Sequence, residues 1–72
     1  MEQDNGFEMS GTVVDIKRGV FVVKVNDNGM LVDCTLSGKL RQNNIRILLN
    51  DKVDIYISVD DVKKGRITWR YK

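Results

Sequence analysis

Leu36-Ser37-Gly38-Lys39-Leu40-Arg41-Gln42-Asn43-Asn44-Ile45-Arg46-Ile47-Leu48 carries a helix start and then an extended apolar run. Ser37 is a residue type that caps helices, and Ser37 to Asn44 is long enough for about two turns. On both sides of this stretch the pattern changes to period two, the signature of strands. A short helix with strands before and after it decides the fold.

Before the helix, Phe21, Val23 and Val25 alternate with Val20, Val22 and Lys24. Asp27-Asn28-Gly29 then gives a hairpin signal, and Met30, Val32, Cys34 and Leu36 read as the returning strand. An earlier strand spans about Glu8 to Ile16, where Gly11 suggests a bend or bulge. After the helix, Val53, Ile55, Ile57 and Val59 alternate with Asp54, Tyr56 and Ser58. Ile67, Trp69 and Tyr71 alternate with Arg66, Thr68 and Arg70 at the end. The chain has no proline, so its turns fall to Arg18-Gly19, Asn28-Gly29, Ser37-Gly38 and Lys64-Gly65.

The expected fold is all-β, a five-stranded OB-fold barrel with one short helix between strands 3 and 4. Closure removes exposed edges, which matters in a chain rich in Val and Ile. Residues 1–6 read as a disordered N-terminal tail and residues 7–72 as a single OB-fold RNA-binding domain.

Composition narrows the chemistry. With 72 residues there is one small core and little space for a deep catalytic pocket. Cys34 is the only cysteine and histidine is absent, so disulfides, Cys/His zinc sites and histidine-dependent catalysis have no residues to work with. The expectation is a non-enzyme with no cofactor and no metal. Asp60 and Asp61 lack a third acid and read as turn residues, and Ser37 has no base to activate it. Cys34, in phase with Val32 and Leu36, reads as a buried small hydrophobe in a reducing compartment. No apolar run nears the roughly 20 residues that span a bilayer, and the polar start resembles no targeting peptide. The expected location is the cytosol, or the inside of an organelle that keeps its own genome; the family resemblance described below narrows that alternative to the plastid stroma.

A net charge of +2 conceals strong segregation. Residues 37–50 carry Lys39, Arg41 and Arg46 with no acid, and residues 62–72 carry five bases with no acid. Acids concentrate instead in residues 1–15 and 51–61. Two basic segments, one interleaved with Trp69 and Tyr71, point to RNA, because phosphates take cations and bases stack on aromatics. Arg66 and Arg70 are expected to share an outward face opposite Ile67 and Trp69. That phase puts Trp69 in the core or its rim, in preference to a stacking platform, and Phe21 in the core. Tyr56, Val20 and Val22 are expected to be exposed, which leaves a protein-interaction module as one rival reading. Ile45, Ile47 and Leu48 are expected to anchor the connection to the barrel. Another rival is a general single-stranded RNA-binding chaperone of cold-shock type, which would need more outward aromatics than this phasing supplies.

The chain resembles the bacterial and plastid translation initiation factor 1 family from about Glu8 to Lys72. The likeness rests on Gly11-Thr12-Val13, Asn28-Gly29, Ser37-Gly38-Lys39-Leu40-Arg41, Asn43, Ile45-Arg46-Ile47-Leu48, Asp51-Lys52-Val53, and Lys64-Gly65-Arg66-Ile67 with Arg70. It implies binding to the small ribosomal subunit and its rRNA at the aminoacyl-tRNA site, in cooperation with the other initiation factors, by a monomer that contacts no membrane. Lys39, Arg41, Arg46, Lys64, Arg66 and Arg70 would be the RNA-contacting cations. Thr35 stands where the family usually has histidine, and Asn44 where it usually has an aromatic. Lys17-Arg18-Gly19 replaces Leu-Pro-Asn, and Val59-Asp60-Asp61 replaces Pro-Tyr-Asp.

Overall fold

A computed structural model describes residues 6–71. The strands are β1 (Gly6–Lys17), β2 (Val20–Val25), β3 (Leu31–Leu36), β4 (Lys52–Ser58) and β5 (Asp61–Tyr71), with helix α1 (Gly38–Gln42) between β3 and β4. They form a closed barrel in the order β1-β2-β3-β5-β4. This is the expected all-β OB architecture. The tail expected over residues 1–6 falls mostly outside the described residues, although Gly6 already pairs with Ser58 of β4.

The barrel closes on β-branched side chains, whose stiff rotamers suit a pleated surface. Val13, Val23, Val25, Val32, Val53, Ile55, Ile57, Ile67 and Cys34 are buried, and Leu40 and Ile47 join the same core. Phe21 and Leu36 pack against it from its edge, in the phase expected of them. No buried residue among those described is polar or charged.

β1 is long because it serves two neighbours. Gly6–Thr12 pairs with β4 and Gly11–Lys17 with β2, so Gly11 and Thr12 belong to both ladders. Here the barrel turns its corner. A methyl group on Gly11 would stand 2.5 Å from the Lys24 carbonyl oxygen and 2.6 Å from Val23 Cγ1, so the glycine serves a close approach of β2. The bulge itself lies further on, where Val14 is left between the Val13 and Asp15 pairings.

The turns divide between expectation and surprise. Arg18 (φ 45°) and Gly19 (φ 83°) both take left-handed conformations, as a two-residue type I′ hairpin requires. Between β2 and β3 the Gly29 amide donates to the Val25 carbonyl, and Gly29 (φ 71°) closes a longer connection. Lys64-Gly65 is not a turn. It lies inside β5, which starts five residues before Arg66, and the connection from β4 is the short turn through Val59 and Asp60. Gly65 is needed there because a methyl would stand 2.9 Å from the Tyr56 carbonyl oxygen and face Val32 and Cys34.

Burial, aided by the adjacent Asp33 carboxylate, pushes the Cys34 thiol up to about 12. Alkylation of Cys34 in mildly alkaline buffer should therefore be negligible in the native protein and appear only as denaturant unfolds it. The folded thiol stays neutral where the unfolded one ionises, so its contribution to stability falls as pH rises from about 9 toward 12. Gly11→Ala should lose about 1–3 kcal/mol in urea unfolding. Wild-type stability in that variant would mean that β1 and β2 have room to separate.

Candidate nucleic-acid interface

Helix α1 is short and held at both ends. The Ser37 hydroxyl accepts a hydrogen bond from the Leu40 amide at 3.3 Å. At the other end the Ile45 amide donates to the Leu40 carbonyl and the Asn44 amide to the Arg41 carbonyl. With Asn44 left-handed (φ 55°), this is a Schellman termination. Asparagine tolerates that conformation better than an aromatic residue, which gives the Asn44 departure a local physical reason. Leu40 points into the core, and Lys39 and Arg41 are both exposed.

The connection from α1 to β4 is anchored by Ile47, buried, and Ile45, half-buried. Leu48 is not an anchor: with Leu49 it is about half exposed at the tip of a turn. Asp51 Oδ2 fixes that turn by accepting from the Leu48 amide at 2.7 Å. The same oxygen accepts from Arg70 Nε at 2.9 Å. Two backbone bonds between Val13 and the Asn50–Asp51 pair then tie the turn to β1.

Arg70 reaches Asp51 because β5 changes phase. Ile55 pairs with Ile67 and Asp54 with Trp69, so Thr68 bulges out of the ladder. Beyond the bulge, Arg70 opposes the buried Val53, while Trp69 and Tyr71 face solvent. Two expectations are corrected here. Arg70 does not share the face of Arg66 but is half-buried in an ion pair, and Trp69 is not a core residue but 52% exposed. Val20, Val22 and Tyr56, expected to be exposed, are half-buried.

The outer wall can be read in rows across the ladders. Thr35 of β3, Arg66 of β5, Tyr56 of β4 and Glu8 of β1 form one row. Trp69, Asp54 and Ser10 form the next, and Tyr71, Lys52 and Thr12 the last. On the other side, Lys64 stands beside Asp33. A shallow depression lined by Thr35, Tyr56, Ser58, Lys64, Gly65 and Arg66 opens on this wall.

The expected cations thus divide into three settings. Lys64 and Arg66 are exposed on the wall of β5, and Lys39, Arg41 and Arg46 are exposed on α1 and the segment after it. The ion pairs among the described residues are Lys17–Asp15 and Arg70–Asp51, so those five cations are neutralised by no acid of that set. Arg70 alone is drawn inward. The wall aromatics Trp69 and Tyr71 were missed as surface candidates, and the only sequence signal was their interleaving with cations. Among the described residues no group of acids, Cys or His could hold a metal, and no helix is long and apolar enough to cross a membrane.

No family model matches the chain. The solution structure of translation initiation factor 1 from the Wolbachia endosymbiont strain TRS of Brugia malayi is similar at a TM-score of 0.78. The two are 39% identical, over 94% of this chain and 80% of that one. The chain belongs to the translation initiation factor 1 family. Two further structures share the barrel: YjeQ from Thermotoga maritima (TM-score 0.77, 24% identity) and YloQ, a circularly permuted GTPase (0.78, 22%). Each match covers 92% of this chain but only 23% of the larger protein, and at such identity it shows the fold alone. Against this initiation-factor background, Thr35 lines the depression beside Lys64 and Arg66, and Asn44 terminates the helix that carries Lys39 and Arg41.

The Asp51–Arg70 pair is the testable brace of this region. Because both side chains are largely shielded, a double-mutant cycle with Asp51→Ala and Arg70→Ala should give a coupling of about 1–2 kcal/mol, between exposed and fully buried pairs. Asp51→Ala should be the costlier single change, since it also releases the Leu48 amide. A coupling near zero in urea unfolding would show that the turn holds without the pair.

Proposed function

We propose that this chain acts as a translation initiation factor that binds the small ribosomal subunit at the aminoacyl-tRNA site through rRNA contacts. It would block premature tRNA entry and assist assembly of the initiation complex beside the other initiation factors, making and breaking no bond. Family membership supports the role. The observation that carries the RNA contact is the set of exposed cations, Lys39, Arg41, Arg46, Lys64 and Arg66, left outside the ion pairs of the described residues. Cations in that state neutralise phosphates and release counterions, which makes binding strong at low salt and steep in salt. Such contacts place a protein on RNA without reading sequence, so preference for one ribosomal site comes from the arrangement of the cations on a rigid barrel. The protein works as a monomer in the cytoplasm or the plastid stroma.

Arg70 has a different part in this reading. With Nε held by Asp51, it supports the connection that carries Arg46 and contributes less to phosphate contact than Arg41 or Arg66.

Equilibrium binding to purified small subunits, beside an unstructured RNA of matched charge and across a salt series, tests the proposal. Strong preference for the subunit, abolished by an aminoacyl-site ligand, is expected. Arg41→Ala and Arg66→Ala should each flatten the dependence of log affinity on log salt by about one unit without unfolding the protein, and Arg70→Ala should flatten it less. Equal affinity for both RNAs would replace the proposal with a cold-shock-type chaperone role.

A further inference from the structure

The bulge at Thr68 brings Arg70 onto Asp51, and it also decides where the two aromatic rings of β5 point. Had β5 kept its register, Trp69 would follow Ile67 into the barrel and bury its large apolar ring. Instead the extra residue turns Trp69 and Tyr71 to solvent, 52% and 47% exposed, next to each other on the same face. Bulges recur where a strand must re-aim a side chain. The unpaired Thr68 is compensated by its hydroxyl, which donates to the Asp54 carbonyl at 3.4 Å.

The Tyr71 ring is also held. The Tyr71 hydroxyl donates to Asp54 Oδ2 at 2.7 Å, and Ser10 Oγ donates to Asp54 Oδ1 at 2.7 Å, so the carboxylate is engaged from both sides. The bond to Asp54 raises the Tyr71 hydroxyl above its ordinary value and keeps it a neutral donor. Side chains two apart on a strand are about 7 Å from each other, a spacing that neighbouring nucleotides of an extended strand can match. Exposed cations bracket the pair: Lys52 lies across the ladder from Tyr71, and Arg66 lies beyond the bulge on the same face. Glu8, a second acid of this wall, sits in the row of Arg66, and its charge is the last of the influences that raise the Tyr71 hydroxyl.

The geometry points to Trp69 and Tyr71 as a stacking platform for unpaired RNA bases, with Lys52 and Arg66 receiving the flanking phosphates. This rests on the RNA-binding reading above and adds a base contact on the β4–β5 wall to the phosphate contacts of the cations. Stacking of this kind is tolerant of sequence and adds affinity that salt does not remove.

Trp69 is the only tryptophan, so its emission reports the platform directly. The wild-type chain, Trp69→Leu and Trp69→Phe would each be titrated with a short oligoadenylate, with isolated small-subunit rRNA and with assembled small subunits. Saturating RNA should quench the wild-type emission. Trp69→Leu should lose about 5- to 100-fold in affinity for all three targets, with an unchanged salt slope, and Trp69→Phe should keep most of the affinity. Quenching is read on the wild-type chain, so it stands whatever the variants do to stability. Unchanged emission at saturation, or wild-type affinity in Trp69→Leu, overturns the platform and leaves the cation contacts intact. A loss confined to assembled subunits assigns Trp69 to a ribosomal-protein contact and also overturns it. Absence of any RNA binding by the wild-type chain overturns the platform and the RNA-binding reading together.

Discussion

The pairing of β3 with β5 closes this barrel, and it is parallel where every other pairing is antiparallel. A parallel neighbour cannot be reached by a tight turn, so the chain must cross the end of the barrel and return along β4 before β5 can form. Helix α1 makes that crossing. Ser37 ends β3 by donating its amide to the Ile67 carbonyl and starts the helix with its hydroxyl, so one residue joins the two elements. Leu40 and Ile47 then seal the open end. Gly65 lets β5 approach β4 and the Val32–Cys34 side of the core together, and any side chain there would hold the strands apart.

Closure also sets where charge can go. The core among the described residues holds no polar group, so each cation must find solvent or a partial shelter with a partner. Five of the cations singled out in the sequence take solvent. Arg70 takes shelter, because the Thr68 bulge puts it in the phase of Val53 where only Asp51 can meet it. One inserted residue therefore moves an arginine inward and a tryptophan outward, and changes what the wall between β4 and β5 offers to a partner.

Most of the fold is legible because burial imposes period two, which Val23 and Val25 in β2, Val32 and Cys34 in β3, and Val53, Ile55 and Ile57 in β4 record. The Arg18-Gly19 turn and the Ser37 cap are legible for an equally local reason: each needs a residue type that few others can replace. Bulges carry no such signature. Val14 and Thr68 are ordinary strand residues, and only the partner strand reveals that they are unpaired. Extrapolating the Ile67 phase through Thr68 therefore inverted Trp69, Tyr71 and Arg70 together. Leu48 failed for a related reason, since its exposure is set by a carboxylate three residues on and an arginine further still. Charge segregation located the exposed cations Lys39, Arg41, Arg46, Lys64 and Arg66, because a small apolar barrel leaves an unpaired Lys or Arg only the surface, but it could not single out Arg70, which shelters against Asp51.

The departures from the family pattern fall where they alter local surface more than architecture. Asn44 occupies a left-handed position in which an aromatic would be strained, so the helix terminus gains what the surface loses in ring area. Thr35 lines the depression between the strands that carry Lys64, Arg66 and Tyr56, and its short side chain leaves that depression open. On β5 the rings Trp69 and Tyr71 are turned outward by a bulge, and the Tyr71 hydroxyl is fixed on Asp54. In the proposed mode of action, the cations supply attraction that any polyanion would feel, and the outward rings on that wall favour RNA with unpaired bases over duplex of equal charge.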